Sequence, residues 1–260
     1  FERFLFDVDF IDTPNEENRI SVLSQFEDML TSNDVAAFIF EPIVQGAAGM
    51  LMHSPEILSE MIALCEKYNV ITIADEVLTG FYRTGKFFAV DHLENKPDII
   101  CLSKGVTGGF MTMGVTAVSE SIFSAFDSEN KKHTFLHGHS YTGNTLACAA
   151  ANASLDLFEK EETIQNIKRI AKQQADFISS IKGHPRIRDA RSFGAITAIE
   201  LDTEGESNYF NTKGNDAYEW FMEKGIVMRP LGNVLIMIPP YCISEEDLNY
   251  IFETVRNYLN

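Results

Sequence analysis

Short apolar runs alternate with amphipathic segments along the first part of the chain. Segments 16–31 and 55–65 carry apolar residues near helical spacing, and Pro55 favours a helix start. Three apolar runs predict buried strands, namely AAFIFEP, VITIAD and DIICLSK. Alternating strands and helices are typical of a parallel sheet with crossover helices. We therefore predict an α/β fold.

The rest of the chain predicts two long helices followed by a smaller α/β unit. The Ala- and Leu-rich run after Asn144 favours the first helix, and an amphipathic second helix covers about 162–182. The smaller unit combines three apolar runs with two amphipathic segments: AITAIEL, GIVMRP and VLIMIPP, with helices over about 214–224 and 244–258. We predict a domain boundary near residue 160, which divides the chain into 1–160 and 161–260.

The chain opens with FERFLFDVDF, without an initiator Met and with apolar residues in strand-like alternation. This pattern indicates entry in the middle of a domain. We therefore expect domain 1–160 to be the C-terminal part of a larger domain whose N-terminal part is missing.

Composition limits the classes of partner. A formal net charge of −17 and a pI of about 4.7 argue against nucleic acid and against an anionic membrane surface. No apolar run approaches the roughly 20 residues of a membrane span. The four cysteines lack the spacing of metal ligands, and His137 and His139 have no metal-like partner. We expect free thiols, no metal site and a cytoplasmic protein.

Asp75 and Lys104 each lie just after an apolar run. Seen alone, Asp75 could cap a helix and Lys104 could extend to solvent. Parallel strands, however, open at their C-terminal ends into the cleft where α/β sheets bind ligands. A buried carboxylate beside a buried amine suits pyridoxal phosphate, which needs an amine for covalent attachment and a carboxylate on its pyridinium nitrogen. The small residues GVTGG after Lys104 leave room for a flat cofactor.

The segment IADEVLTGFYRTGKFFAVDHLENKPDIICLSKGVTGG resembles the signature of the class III pyridoxal-phosphate-dependent aminotransferases, of fold type I. The resemblance continues through EPIVQGAAGM upstream and HGHSYTGNTLACAAANASL downstream. It implies a pyridoxal 5′-phosphate cofactor and part of a large, mostly parallel sheet domain, with a smaller C-terminal α/β domain. It also implies a homodimer with shared active sites.

The same resemblance implies a role for each matching residue around the cofactor. Lys104 would be the catalytic residue that holds the cofactor covalently and moves the proton. Asp75 would pair with the pyridinium nitrogen, Val77 would pack against the ring, and Gln45 would contact the cofactor or its surroundings. The segment HGHSYTGN would reach the cofactor phosphate of the partner subunit through its candidate residues His137, Gly138 and Ser140.

On the substrate side, the resemblance assigns Arg229 to the substrate carboxylate. A guanidinium can form a bidentate fork there, which lysine cannot reproduce. The alternative is a solvated arginine beside a turn, at the end of the predicted strand GIVMRP. Glu41 and Arg83 resemble a family ion pair near the substrate, although a structural salt bridge fits them equally well. Gly138 is also a substrate-side candidate.

Within the family, three segments resemble a branch that acts in biotin biosynthesis: TGGFMTM, GNTLACAAANASL and RPLGNVLIMIPPY. Enzymes of that branch convert 8-amino-7-oxononanoate to 7,8-diaminononanoate. The run VLIMIPP lacks an expected tyrosine, so both S-adenosylmethionine and lysine stay open as amino donor. The alternatives are another class III enzyme, of the ω-amino acid or ornithine type, and a non-catalytic fragment of the fold.

Overall fold

The computed structural model describes residues 7–32, 34–203 and 210–260. The first six residues of the segment predicted to alternate like a strand lie outside these ranges. The described remainder of that segment, 7–10, has no regular secondary structure.

The described residues form nine strands and seven α-helices. The strands are β1 (Ala37–Phe40), β2 (Val44–Gln45), β3 (Leu51–Met52), β4 (Ile71–Asp75), β5 (Ile99–Leu102), β6 (Val115–Val118), β7 (Ile187–Phe193), β8 (Ile196–Leu201) and β9 (Val234–Met237). The helices are α1 (Arg19–Ser32), α2 (Pro55–Tyr68), α3 (Glu120–Ser124), α4 (Thr145–Phe158), α5 (Glu161–Ile181), α6 (Lys213–Glu223) and α7 (Glu245–Leu259).

The larger sheet has the strand order β1-β4-β5-β6. β1 and β5 both run parallel to β4, so the predicted parallel arrangement is confirmed for the three strands read from the sequence. β6 adds an antiparallel edge that the sequence analysis did not predict. The short hairpin β2–β3 follows β1, and its connecting residues 46–50 are called the β2–β3 turn below.

Helix α2 shows how local sequence builds the layer that covers this sheet. The Ser54 hydroxyl accepts a hydrogen bond from the Ile57 amide, and Pro55 occupies the first helical position, where no amide donor is needed. Apolar residues at helical spacing then bury one face of the helix: Ile57, Leu58, Met61, Ile62 and Cys65. The predicted helix is confirmed.

The smaller sheet is antiparallel, with the order β7-β8-β9. Strands β8 and β9 confirm two of the predicted strands, but the predicted strand in GIVMRP is wrong. Ile226 and Met228 are buried while Val227 is exposed, so the segment has one apolar side although it is not part of a strand. The sequence analysis missed β7, because IRDARSF is mostly polar.

Strand β8 connects the two larger hydrophobic cores formed by the described residues. Ile196 and Ala198 belong to the core of the larger sheet, whereas Ile199 and Leu201 belong to a second core under helices α5, α6 and α7. This division follows the alternation of side chains along a strand. The boundary near residue 160 coincides with the short connection between α4 and α5 and stays a prediction.

Two kinds of feature are absent from the described residues. No helix among them is long and apolar enough to cross a membrane. Within the same ranges, no group of three or more His, Cys, Asp or Glu side chains could hold a metal ion.

Candidate active site

The strand register brings Asp75 and Lys104 to one edge of the larger sheet. Asp75 at the end of β4 lies opposite Cys101 on β5, and the Glu76 amide extends the ladder by donating to the Cys101 carbonyl at 2.9 Å. Lys104 follows two residues after the end of β5. Both groups therefore lie at the carboxyl ends of adjacent parallel strands, as the sequence predicted.

The Asp75 carboxylate is oriented by its own loop. Its Oδ1 accepts a hydrogen bond from the Val77 amide at 3.0 Å, and the side chain is half-buried. Within the described part of the chain, Oδ2 has no hydrogen-bond partner. One oxygen is thus fixed and the other is available to a ligand.

Lys104 has an unusual backbone and an exposed side chain. Its φ of 40° lies in the left-handed region, and it begins a short 3-10 turn that ends at Thr107. The residue is exposed in the single chain, so the expectation of a buried amine is not met by these residues alone. The next residue, Gly105, packs so closely on Phe81 that a Cβ there would lie 2.7 Å from the ring. A larger residue would push the lysine turn off this ring.

Glu76, the neighbour of Asp75, has a structural role. Its fully buried carboxylate accepts hydrogen bonds from the Thr79 hydroxyl and from the Ala89 and Val90 amides. Burial raises the pKa of this carboxyl, while those donors lower it. Glu76 therefore closes the loop 76–90, and only Asp75 of the acidic pair faces the site.

Glu41 lies within the electrostatic field of the same two groups. Its Oε2 accepts from the Gly46 amide at 2.9 Å. Burial raises the pKa of Glu41; the Gly46 amide lowers it, the charge of Asp75 raises it and the charge of Lys104 lowers it. In the β1–β4 register Phe40 lies opposite Ala74, so Glu41 and Asp75 follow as neighbours at the sheet edge where Lys104 also lies.

Arg83 does not form the expected ion pair with Glu41. Its Nη1 donates to the Pro239 carbonyl at 2.8 Å, and its guanidinium lies 4.4 Å from the centre of the Tyr241 ring. The Tyr241 hydroxyl in turn donates to the Phe81 carbonyl at 2.7 Å. The Glu41 carboxylate and the Arg83 guanidinium therefore each have other partners. Through its contacts with Pro239 and Tyr241, Arg83 joins the loop 76–90 to the segment after β9. Nothing in the sequence pattern indicated this role of Tyr241.

Gln45 and Val77 lie beside these groups. Gln45 is on β2, next to Gly46, and its Oε1 accepts from the Thr13 hydroxyl at 2.8 Å. Val77 is half-buried and directly follows the acidic pair. Their contacts to a cofactor stay predictions.

The segment containing His137, Gly138 and Ser140 is exposed. Its hydrogen bonds are local, such as the one from the His139 amide to the Thr142 hydroxyl at 2.9 Å. Large apolar side chains beside it are also exposed: Phe135 (64%), Leu136 (90%) and Tyr141 (76%).

Arg229 lies in the extended segment between α6 and β9, and so it is not at a strand end as the sequence analysis expected. The following Pro230 lacks an amide donor and favours an extended conformation at Arg229. The arginine is exposed, and within the described ranges its guanidinium has no partner. Its charge is therefore available to a ligand.

The chain is similar to known proteins in sequence and in fold. The family model described as "Aminotransferase class-III" matches residues 1–259. The chain belongs to this family. The membership and fold class predicted from the sequence are thereby confirmed.

Several curated relatives are named adenosylmethionine-8-amino-7-oxononanoate aminotransferase. The protein of Synechococcus elongatus is 38% identical over 100% of this chain and 62% of its own length. The protein of Aquifex aeolicus is 37% identical over 90% of this chain and 53% of its own length. The chain spans about half the length of the curated relatives it matches.

Solved structures with the same fold include two kinds of transaminase. The adenosylmethionine-8-amino-7-oxononanoate aminotransferase of Methanocaldococcus jannaschii has a TM-score of 0.83 at 34% identity, over 94% of this chain and 56% of that one. A thermostable (S)-enantioselective omega-transaminase from Thermomicrobium roseum has a TM-score of 0.86 at 27% identity, over 95% of this chain and 56% of that one.

Proposed function

We propose that the protein containing this chain is a pyridoxal-phosphate-dependent aminotransferase of biotin biosynthesis. It converts 8-amino-7-oxononanoate to 7,8-diaminononanoate, with S-adenosylmethionine as amino donor and lysine as the alternative donor. The observation that carries the proposal is the placement of Asp75 and Lys104 at the carboxyl ends of adjacent parallel strands. The 38% identity to a relative of that name over the whole chain supports the choice of substrate.

The donor set fits the proposed cofactor. Asp75 Oδ2 has no partner among the described residues, so it can pair with a pyridinium nitrogen, and the exposed Lys104 amine can attach covalently to an aldehyde. Val77 would pack against the ring, with Gln45 as a polar neighbour. When bound, pyridoxal phosphate supplies an electron sink. Lys104 then holds and transfers the proton at its Nζ, and Asp75 keeps a proton on the ring nitrogen.

The proposed acceptor carries a carboxylate, which Arg229 would bind. The exposed guanidinium matches a carboxylate in shape and charge. Glu41 lies beside Asp75 and Lys104 and would line the substrate side of the site. Arg83 would act there through the loop that it holds rather than by pairing with Glu41.

We further propose a homodimer in which each site is completed by the partner subunit. A groove of about 510 Å³ lies open along α4, with apolar lining that includes Phe110, Leu146 and Leu157. Phe110 is 83% exposed and Leu146 69% exposed. Exposed apolar patches of this kind mark interfaces. A second copy on this groove would lie beside HGHSYTGN, so His137, Gly138 and Ser140 could reach the partner's cofactor phosphate, with Gly138 also near the substrate.

We propose a cytoplasmic location without nucleic acid or membrane as partner. All four cysteines are free thiols in the described structure, as expected in a reducing compartment. The net charge of −17 would repel nucleic acids and anionic lipid surfaces.

The test of the proposed reaction is a donor and acceptor profile of the purified protein with pyridoxal phosphate. We expect amination of 8-amino-7-oxononanoate with S-adenosylmethionine or lysine. No product with either donor would reject the proposed substrate. The TM-score of 0.86 to an omega-transaminase makes amines and ω-amino acids the informative second substrate set. Loss of the visible absorbance of bound cofactor in Lys104→Ala would separate an enzyme from a non-catalytic fold.

A further inference from the structure

Arg191 joins the smaller sheet to the β2–β3 turn. It lies on β7, yet its Nε donates to the Met50 carbonyl at 2.8 Å and its Nη2 donates to the Gly49 carbonyl at 2.6 Å. Residues 50 and 191 are 141 positions apart in sequence. The contact is therefore a tertiary link between the two sheets.

The guanidinium is itself held in place. Its Nη1 donates to Glu200 at 3.2 Å and also to Asp189, and the arginine side chain is only 13% exposed. Two carboxylates thus hold Nη1 of the guanidinium, while Nε and Nη2 face the two carbonyl oxygens. Lysine has a single donor centre and cannot span both carbonyls in this way.

The β2–β3 turn needs such support because its backbone is strained. Met50 has a φ of 59° and Ile43, just before β2, has a φ of 67°. Both values lie in the left-handed region, which is unfavourable for a residue with a side chain and persists only where surrounding contacts enforce it. The carbonyls of Gly49 and Met50 are the groups that Arg191 grips.

Hydrogen bonds continue from this turn to the candidate site. The Gly49 and Met50 amides donate to the Gly46 carbonyl at 3.2 and 3.3 Å. The Gly46 amide then donates to the Glu41 carboxylate at 2.9 Å. Glu41 follows Phe40, which lies opposite Ala74 in the β1–β4 register, so Glu41 and Asp75 are neighbours at the strand ends and a shift of the turn would move a charge within the site.

We propose that Arg191 is a positioning residue that fixes the Glu41 carboxylate beside Asp75 and Lys104. It does so from the smaller sheet, through its hydrogen bonds to the Gly49 and Met50 carbonyls. Its effect on catalysis rests on the proposed aminotransferase function. The support that Arg191 gives to the β2–β3 turn does not rest on that function, because it follows from the hydrogen bonds alone.

The first test is hydrogen–deuterium exchange of peptides covering 41–52 in the full chain without cofactor. We expect faster exchange in Arg191→Gln and in Arg191→Lys than in the wild type. Arg186→Gln is the matched control: Arg186 lies just before the same strand, and its Nη1 donates to the Tyr258 carbonyl, away from the β2–β3 turn. Exchange in the Arg191 variants equal to that of the control would overturn the proposal.

The second test uses the cofactor-loaded protein. We expect kcat/KM in Arg191→Gln and Arg191→Lys to fall by up to about a hundredfold, the effect of displacing a group in the site by about 1 Å. In a Glu41→Gln background the Arg191 changes should add little, because they act through Glu41. A purely structural arginine would lower activity equally in both backgrounds, and that result would overturn the proposal.

The two tests separate this inference from the proposed function. If the wild type transfers no amino group, the proposed function fails. The exchange experiment still tests whether Arg191 holds the β2–β3 turn. Arg191→Lys guards against a variant that does not fold, since its ammonium can still pair with Glu200. We expect its thermal midpoint to stay near that of the wild type while its exchange over 41–52 rises.

Discussion

At the scale of single residues, adjacent acidic groups differ in what they do. Asp75 offers an oxygen to a ligand, whereas Glu76 uses both oxygens inside the protein. The sequence presents the two as one polar pair after an apolar run. Only the closure of the loop 76–90 shows that the second carboxylate is buried, because its amide donors come from residues 89 and 90.

Lys104→Ala should abolish the visible absorbance of the bound cofactor and all transamination. The fold should survive, because the lysine side chain is exposed and buries little surface. Spectra after addition of pyridoxal phosphate and a thermal melt would check both parts. Lys86→Ala, which removes another exposed lysine, should retain the absorbance. A spectrum of Lys104→Ala that matches the wild type would contradict the assigned role.

Glu76 should make the stability of the protein depend on pH. Because burial raises its pKa above 4.5, the folded state binds this proton more tightly than the unfolded chain. The free energy of unfolding should therefore fall as pH rises from 4.5 through the folded-state pKa, by about 1.4 kcal/mol for each unit of pKa difference.

Glu76→Gln cannot ionise, so denaturant titrations across this pH range should show a smaller fall than in the wild type. The fall should not vanish, because burial also raises the pKa of Glu41. Glu94→Gln removes an exposed carboxylate and should leave the profile of the wild type. Identical profiles for Glu76→Gln and the wild type would contradict this account.

At the scale of elements, the turn between β7 and β8 fixes the smaller sheet against the loop 76–90. The Ala195 amide donates to the Arg83 carbonyl at 2.9 Å. Gly194 has a φ of 58°, and a Cβ there would lie 2.5 Å from the same carbonyl oxygen. This close approach between two backbones excludes every residue except glycine.

Gly194→Ala should destabilise the protein strongly and loosen the contact with Arg83. We expect a backbone cost of about 1–2 kcal/mol for the left-handed conformation and a further ~1–3 kcal/mol from the clash. Gly183→Ala is the matched control, because Gly183 has a φ of 89° but a Cβ added there would meet nothing within 4 Å. Equal unfolding midpoints for the two variants would show that the clash is absent.

The pattern of apolar residues predicts a strand correctly where an apolar run also pairs with a neighbouring strand. It fails where apolar residues are buried without strand pairing, or where a polar run is paired. VITIAD alternates between buried and half-buried residues, DIICLSK is half-buried along its strand, and both are paired; both were predicted with the residues that follow them. GIVMRP buries Ile226 and Met228 without strand pairing, whereas β7 pairs along its length with few apolar residues. The grip of Arg191 and the ring of Tyr241 could not be predicted, since each acts on residues far away in sequence.

At the scale of the whole molecule, the exposed apolar face along α4 contrasts with the strong negative charge of the chain. Two copies would each carry a net charge of −17, so their association has to overcome repulsion. Salt screens such repulsion over about 10 Å at 0.1 M. An interface built on Phe110 and Leu146 should therefore strengthen as ionic strength rises.

Leu146→Asp should convert the proposed dimer to a monomer, because it places a charge in an apolar groove and adds to the repulsion. Light scattering after size-exclusion chromatography at low and high salt would measure the mass. Ile20→Asp is the control, since Ile20 is 86% exposed on α1 and outside the groove, whereas Leu146 is 69% exposed within it.

If the active sites are shared, Leu146→Asp should also lose cofactor binding, because His137 and Ser140 would no longer reach the partner's phosphate. A monomeric variant that keeps full activity would disprove the sharing, and a wild type that is already monomeric would disprove the dimer.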